Sequence, residues 1–460
     1  MVSYGKFYRS GLWPLYERLR GRNTHRYAQL TEQNQWLPTP ALEQLQLSEL
    51  RQLLSHTWNQ SPWYAARLEQ AGLDPQSRNI LDDLRRLPFV TKAEINTNRD
   101  TMLAHSFQGK VYEHCTGGST GAPLRFYVNR ASYEWRVAVS MRGYSWAGCR
   151  EGDRQFYVWG APISPPPWAK RVKTWLHNTL LQRRIFSSFG FSRPAMSRCA
   201  EAIRKFRPQT VIGYTNAIFL LAQHVLENKL AIVPPQAIIT AAEGVNAVQR
   251  AIIEQAFDAP VFASYGSREF MLIAMECERH HGLHLSADNL LVEVVRPDGT
   301  PAGAGEIGEI VITDLHNYGM PLIRYKIGDL GALTSRTCPC GRGLPLLERV
   351  EGRVLDAIRT PDGRIVPGEF FPHLLKEFDA VREFQVIQKQ LDHLTIKLVL
   401  RPDSPKEQLD RIQQEIRKVM GPAIKVEIEP VGEIPRTVSG KFRVTVSELG
   451  PNHWPLSTGK

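Results

Sequence analysis

The spacing of apolar residues predicts helices at the start of the chain. Between Ala41 and Trp58, apolar side chains recur every three or four residues, which is the period of a helix with one buried face. These side chains are Leu42, Leu45, Leu50, Leu53, Leu54 and Trp58. A further helix is predicted after Thr91, because Glu94 three residues later completes a capping box. We therefore expect the N-terminal region to begin with amphipathic helices.

The middle of the chain alternates short apolar runs with helical patterns. The runs QFYVWG, PQTVIGY, AIITAAE and PVFASYG alternate with the helical stretches TNAIFLLAQHVLEN and NAVQRAIIEQAF. Such alternation indicates a mostly parallel sheet covered by helices. After Leu285 the pattern changes to LLVEVV, a PDGT turn and GEIGEIVIT, which is typical of hairpins. The predicted fold class is α/β, with a β-rich subdomain at about 285–350.

The end of the chain predicts a second, smaller domain. The stretch REFQVIQKQLDHLTIKLVLR, a helix from about Pro405 to Met420, and IKVEIEP indicate a β-β-α-β order. The preceding junction ERVEGRVLDAIR is charged and contains a glycine, which is typical of a hinge. We predict a large N-terminal domain over residues 1–352 and a small, mobile α+β domain over residues 353–460.

Composition restricts the classes of protein. The 460 residues are 42% hydrophobic and 22% charged, as in ordinary globular proteins. Apolar runs stay below the roughly 18 residues that span a bilayer, and the N-terminus lacks the pattern of a secretory signal. We expect a cytoplasmic protein without an integral membrane segment. The net charge of +11 favours anionic partners such as nucleotides, acidic substrates, nucleic acid or a membrane surface.

The stretch CTGGSTGAPLRF contains the first candidate site. Its glycines permit a close backbone approach, and its backbone N–H groups and hydroxyls suit phosphate oxygens. The candidate phosphate-binding residues are Thr116, Gly117, Gly118, Ser119, Thr120 and Gly121. The G-x-x-x-x-G-K-[ST] order of a Walker loop is absent, which disfavours a P-loop kinase or GTPase. A surface hairpin without a ligand is the alternative interpretation of this stretch.

Three later stretches complete a pattern. SYGSREF presents Glu269 just past a turn, RYKIGDLG presents Asp329 at a predicted strand end, and IPRTVSGKFR offers Lys441 in a short hairpin. With TGGSTGAP, these motifs resemble in kind and order those of the adenylate-forming enzymes, which include acyl-CoA synthetases, peptide-synthetase adenylation domains and luciferases. LPFVTKAEI and ECERHHGLH are similar to the phenylacetate-CoA ligase branch, including its relatives in capsular polysaccharide clusters.

The resemblance implies an AMP-forming carboxylate ligase. In that family a carboxylate, here an organic acid with aryl acids among the candidates, attacks the α-phosphate of ATP. Pyrophosphate leaves, and the acyl group of the adenylate passes to an acceptor. Coenzyme A is the implied acceptor, and an amine, a sugar or a carrier protein remains an alternative. The identity of the acid and the oligomeric state stay open.

The resemblance also implies roles for individual residues. Ser119 and Thr120 would hold the triphosphate, and Glu269 would be a catalytic residue that ligates Mg²⁺, an ion that prefers oxygen. Asp329 would accept both ribose hydroxyls, and catalytic Lys441 would bring a cation to the reacting oxygens. The remaining implied nucleotide-binding residues are Glu243, Gly244, Tyr265, Gly266 and Arg353. The chain departs from the family at Ala122 and Leu124, because a lysine usually stands near the end of the phosphate loop. It departs again at the hinge position Leu355.

The cysteines indicate a metal. Cys338 and Cys340 together with Cys277 and a histidine supply the ligand set of a structural Zn²⁺. We choose His284 because its spacing from Cys277 resembles that of zinc-binding members of the branch and because it begins a strand-like HLS; His280 and His281 are the alternatives. Free cysteines would be the simpler interpretation.

A basic protein with a Cys/His cluster also suggests a zinc-containing nucleic-acid-binding protein. That class does not explain RYKIGD or PRTVSGK, so we expect no nucleic-acid partner.

Overall fold

Helices form the start of the chain and follow most strands of its middle part. The computed structural model describes residues 4–116, 124–160, 167–189, 191–351, 358–362, 365–366, 368, 370–375, 377–378, 380–401, 405–434 and 444–449. Its α-helices are α1 (Tyr4–Phe7), α2 (Trp13–Leu19), α3 (Thr24–Asn34), α4 (Thr39–Gln60), α5 (Pro62–Gln70), α6 (Ile80–Arg86), α7 (Lys92–Met102), α8 (Arg130–Trp146), α9 (Trp168–Leu180), α10 (Arg193–Phe206), α11 (Thr215–Glu227), α12 (Ala247–Phe257), α13 (Phe370–Leu375) and α14 (Lys406–Met420). A π-helical stretch (Tyr8–Leu12) joins α1 to α2, and a 3-10 turn (His105–Phe107) lies between α7 and the first strand.

The strands form two hairpins and two larger sheets. They are β1 (Val111–Cys115), β2 (Arg125–Asn129), β3 (Gln155–Trp159), β4 (Arg183–Ser187), β5 (Thr210–Tyr214), β6 (Ala237–Ala241), β7 (Val261–Ser267), β8 (Met271–Glu276), β9 (Leu283–Leu285), β10 (Leu290–Val295), β11 (Gly308–Asp314), β12 (Tyr325–Thr334), β13 (Leu346–Glu351), β14 (Ile358–Arg359), β15 (Ile365–Val366), β16 (Val381–Gln390), β17 (His393–Leu400), β18 (Lys425–Pro430) and β19 (Thr445–Ser447). β1 pairs with β2, and β14 pairs with β15.

Local sequence explains where the early helices begin and which face they bury. The Glu94 N–H donates to Thr91 Oγ1 at 3.3 Å and the Thr91 N–H donates to the Glu94 carboxylate at 2.9 Å, so α7 has the predicted capping box. Helix α4 buries Leu42, Leu53 and other apolar residues of the predicted stripe. The amphipathic pattern thus places α4 against the core.

One eleven-stranded sheet runs through the larger part of the chain. Its order is β10-β11-β12-β13-β9-β8-β7-β6-β5-β3-β4. From β4 to β7 all neighbours are parallel, and from β7 to β10 all neighbours are antiparallel. The predicted α/β class is confirmed. The tight turn between β7 and β8 reverses the chain near the middle of the sheet. The β-rich region therefore continues the same sheet with antiparallel strands.

The C-terminal part has its own sheet and core. β16, β17, α14 and β18 reproduce the predicted β-β-α-β order, and β19 adds an outer strand in the order β18-β17-β16-β19. Phe370, Phe384, Ile396 and Ile416 are among the buried side chains of a core that is distinct from those under the large sheet. The predicted boundary between 352 and 353 lies outside the described residues, so the two-domain division stays a prediction.

Candidate functional site

Two hydrogen bonds join the motifs that carry Glu269 and Asp329. The Tyr265 hydroxyl lies 2.9 Å from Asp329 Oδ2, and the Tyr325 hydroxyl lies 3.0 Å from Glu269 Oε1. Tyr265 and Glu269 belong to the β7–β8 hairpin, whereas Tyr325 and Asp329 belong to β12. Strand β12 is three positions away from β8 in the sheet order, so the sheet must curve for these side chains to meet. The structure therefore brings the two carboxylates into one region.

Asp329 lies within a strand, not at a strand end as predicted. The β11–β12 register shifts between the pairs Val311↔Lys326 and Glu309↔Leu330, which leaves extra residues on β12. Gly328 sits in this bulge with φ +87°, a conformation that glycine adopts without steric cost. A bulge re-aims the next side chain, and Asp329 is that side chain. The local pattern of alternating residues does not show this irregularity, which is why the prediction was wrong.

Gly266 has a structural role in the β7–β8 hairpin. A Cβ atom added at Gly266 would lie 2.2 Å from the Met271 backbone oxygen, so a side chain here would push the two strands apart. This contact explains the glycine of SYGSREF without a ligand. Its predicted nucleotide contact stays a prediction. Glu269 lies in the turn between β7 and β8, not just past it as predicted, and is only 4% exposed.

The predicted phosphate loop connects the strands of the β1–β2 hairpin. The Thr116 N–H donates to the Leu124 backbone oxygen, and the Leu124 N–H donates to Thr116 Oγ1, both at 2.9 Å. Thr116 thus closes the base of the loop. The predicted residues Gly117, Gly118, Ser119, Thr120 and Gly121 lie outside the described residues.

Two further predicted residues also lie outside the described part of the chain. These are Arg353, in the predicted hinge, and the catalytic candidate Lys441. Their predicted roles therefore depend on the sequence motifs alone.

Glu243 lies where two parallel strands end. It follows β6, and its carboxylate accepts hydrogen bonds from the Asn216 backbone N–H at 3.2 Å and from Asn216 Nδ2 at 2.8 Å. The Thr215 hydroxyl donates to the Glu243 backbone oxygen at 2.7 Å. Ligands of open α/β sheets bind outside the carboxyl ends of such strands, and Tyr265 lies near the same end of β7. Gly244, the next residue, has open space where a side chain would stand.

Sequence reasoning missed Tyr325 and Asn216 as parts of this region. Tyr325 lies inside RYKIGD, so the motif contained a signal, but its hydrogen-bond partner is 56 residues away in the chain. Asn216 is the second residue of α11, just after β5, and contacts Glu243 only because β5 and β6 are neighbours. Both contacts depend on strand pairing that local patterns do not specify.

The cysteines and the histidine singled out in the sequence lie together. The ligand atoms of Cys277, His284, Cys338 and Cys340 are all within 4.8 Å of one another. Cys277 Sγ is 3.6 Å from Cys338 Sγ, and Cys340 Sγ is 3.4 Å from His284 Nε2. Cys277 follows β8, His284 lies in β9, and the other two lie between β12 and β13. The alternative histidine His280 instead lies 3.2 Å from the Glu276 carboxylate.

Burial and neighbouring groups change the pKa values of the cluster residues. Burial lowers the pKa of His284 to about 4, so its imidazole is neutral at pH 7. Its Nδ1 lies 3.3 Å from the Leu344 backbone oxygen, which leaves Nε2 facing the thiols. Burial raises the pKa of Cys277 to about 12; for Cys340, hydrogen bonds from Arg342 outweigh burial and lower the thiol pKa. A neutral imidazole beside three cysteine sulfurs is the type of donor set that structural zinc sites use.

Comparisons with known proteins agree with these observations. Residues 358–448 match the family model described as the CapK C-terminal domain. The chain is 25% identical to protein CapK of Staphylococcus aureus over 420 residues, covering 89% of this chain and 90% of that protein. It is 26% identical to a phenylacetate-coenzyme A ligase of Thermus thermophilus over 439 residues, covering 88% of this chain and 96% of that protein.

A solved structure supports the same assignment at the level of fold. A crystal structure of 2-hydroxyisobutyryl-CoA ligase in complex with 2-HIB-AMP and CoA aligns with a TM-score of 0.60 and 21% identity, covering 90% of this chain and 91% of that chain. The fold is therefore that of the adenylate-forming ligases. The relatives named phenylacetate-coenzyme A ligase and CapK confirm the resemblance drawn from the motifs. Within that class, the chain is a homologue of the proteins named phenylacetate-coenzyme A ligase and CapK.

Proposed function

We propose that the protein is an ATP-dependent, AMP-forming ligase that activates an organic acid as an acyl-adenylate and transfers the acyl group to coenzyme A. The observation that carries this proposal is the pair of tyrosine–carboxylate contacts, which bring two motifs of an adenylate-forming enzyme into one region. Homology over most of the chain to proteins named phenylacetate-coenzyme A ligase supports it.

Each carboxylate has an arrangement suited to its proposed role. Tyr265 donates to Oδ2 of Asp329 and so orients the carboxylate that would accept the ribose hydroxyls. Tyr325 orients the buried Glu269 in the same way. Glu269 would hold Mg²⁺, which when bound neutralises phosphate charge during phosphoryl transfer. The loop that Thr116 closes would bind the triphosphate, and Lys441 would approach the reacting oxygens.

We also propose that the cluster of Cys277, His284, Cys338 and Cys340 binds a structural Zn²⁺. With the ligand atoms so close, a single tetrahedral ion can contact all of them. A zinc ion here would tie the loop between β12 and β13 to the end of β8. Because β12 carries Asp329 and the turn before β8 carries Glu269, the ion would brace the nucleotide site without taking part in the reaction.

The acceptor has a second candidate. The C-terminal part of the chain matches the CapK C-terminal domain model, and CapK itself is 25% identical over most of the chain. An amine, a sugar or a carrier protein would then replace coenzyme A as the group that attacks the adenylate. Only the second half-reaction differs between the two candidates.

We expect acid-dependent pyrophosphate release when purified protein is given Mg-ATP and a panel of aryl and alkyl carboxylic acids. With the acid that gives the fastest release, added coenzyme A should yield AMP and an acyl-CoA thioester. Adenylate formation without thioester formation would favour the second acceptor class. If titration with Mg-ATP detects no binding to the wild-type protein, the proposed function is wrong.

We expect Tyr265→Phe to raise the KM for ATP about 3-fold to 10-fold with little change in kcat. Loss of the hydroxyl removes one hydrogen bond to Asp329, which is worth roughly 0.5–1.5 kcal/mol or more when the acceptor is charged. The measurement is pyrophosphate release as a function of ATP concentration. Tyr64→Phe is the matched control, because its hydroxyl accepts from the Ile323 N–H at 3.2 Å within the core, so stability should fall and the KM stay unchanged. An unchanged KM in Tyr265→Phe would contradict the proposed ribose contact of Asp329.

A further inference from the structure

Helix α9 leaves a whole apolar face exposed. At 3.6 residues per turn, its large apolar residues fall on one side of the helix. This α9 face consists of Trp168, Val172, Trp175, Leu176 and Leu180. Trp168 is 77% exposed and Trp175 is 64% exposed. Every residue of α9 except Asn178 is exposed, so within the described part of the chain this face has no cover.

The charged side chains of α9 itself all have one sign. Helix α9 contains Lys170, Arg171 and Lys173 and no acidic residue. Arg171 and Lys173 project at opposite edges of the apolar side, at the positions that helical geometry gives them. An exposed apolar face with tryptophans, bordered by cations on both edges, is the pattern of a helix that lies in a membrane interface. A protein partner would require an acidic, hollow surface to match this convex basic helix.

The first N-terminal helix adjoins α9, and the N-terminal helices also expose apolar and basic residues. The Tyr4 hydroxyl donates to the Leu180 backbone oxygen at 2.7 Å, so α1 adjoins the end of α9. Phe7 in α1 and Leu19 in α2 are exposed apolar residues. Residues 4–26 contain six arginines and lysines and one acidic residue, Glu17. This basic character fits the negative surface potential of membranes that contain anionic lipids.

We infer that the α9 face binds reversibly to the surface of an anionic lipid bilayer. The tryptophans and leucines would enter the interface between headgroups and acyl chains, and the cations at the edges would contact the headgroups. None of the described helices is long and apolar enough to cross a bilayer, so the contact is peripheral. The inference does not depend on the proposed ligase activity, because it concerns a different surface and needs no nucleotide.

Vesicle flotation tests this inference. We expect the full chain to float with vesicles of phosphatidylcholine and phosphatidylglycerol in equal parts at low salt, and to float less at high salt and with phosphatidylcholine alone. Trp168→Glu/Trp175→Glu should weaken binding to the anionic vesicles at least 10-fold. Lys170→Gln/Arg171→Gln/Lys173→Gln should weaken binding to the anionic vesicles roughly 100-fold, because each lost cation lowers the affinity about 5-fold.

A matched control separates the α9 face from a general effect of added charge. Leu81→Glu/Ile307→Glu adds the same two charges at exposed apolar positions on α6 and before β11, and should bind as the wild type does. Thermal unfolding should be unchanged in the tryptophan variant, because both side chains are exposed. Wild-type protein that fails to float with anionic vesicles would overturn the inference. So would a wild-type dimer in sedimentation that Trp168→Glu/Trp175→Glu dissociates, since a second copy would then cover the face.

Discussion

Glu269→Gln is expected to slow adenylate formation by roughly 100-fold or more while the protein stays folded. The glutamine has nearly the same shape, and its oxygen can still accept the Tyr325 hydroxyl that now lies 3.0 Å from Oε1. It lacks the negative charge that would hold Mg²⁺, whose stabilisation of the transferring phosphoryl group is worth several kcal/mol. The measurement is the single-turnover rate of pyrophosphate release at several Mg²⁺ concentrations.

Tyr325→Phe is the control for this substitution. It keeps the carboxylate and removes only the hydroxyl, so we expect less than about a 10-fold change in rate. A near-normal rate in Glu269→Gln, with unchanged dependence on Mg²⁺, would contradict the role of Glu269 as a metal ligand. Equal losses in both variants would instead assign the effect to the hydrogen bond.

Removing zinc is expected to destabilise the protein strongly. Purified wild-type protein should contain one zinc ion per chain by elemental analysis, and Cys338→Ser/Cys340→Ser should contain almost none. Loss of a structural metal is among the largest single effects on stability, so the variant should unfold at a clearly lower temperature. Prolonged treatment of the wild type with a strong chelator should also lower its unfolding temperature, as the double substitution does.

Cys199→Ser is the matched control for the zinc prediction. Cys199 is a buried cysteine of α10 that is not among the clustered residues, and burial raises the pKa of its thiol. This variant should keep its zinc and lose only the small stability expected for a buried thiol. Wild-type protein with no zinc, purified without chelator, would contradict the proposed site and favour free cysteines.

Much of the fold was predictable because its elements are specified locally. The Thr91 capping box, the buried stripe of α4 and the alternation of β5, α11, β6 and α12 depend on residues that are close in sequence. The two carboxylates were singled out for a different reason, because their motifs resemble those of a known family, and their roles stay predictions. The position of Asp329 within a bulge was not, since a shifted register leaves the residue pattern almost unchanged.

The sequence by itself determined the helices, most strands, the α/β class and the chemical types of the candidate site residues. These features depend on the spacing of apolar residues over a few turns or strands and on the chemistry of single side chains. Both can be read from a short segment of the chain. Only the tertiary structure decided that Tyr265 contacts Asp329, that Tyr325 contacts Glu269, and that His284 faces the three cysteines. Most of these contacts join segments that are distant in sequence, and the curvature and register that bring them together are set by packing over the whole sheet.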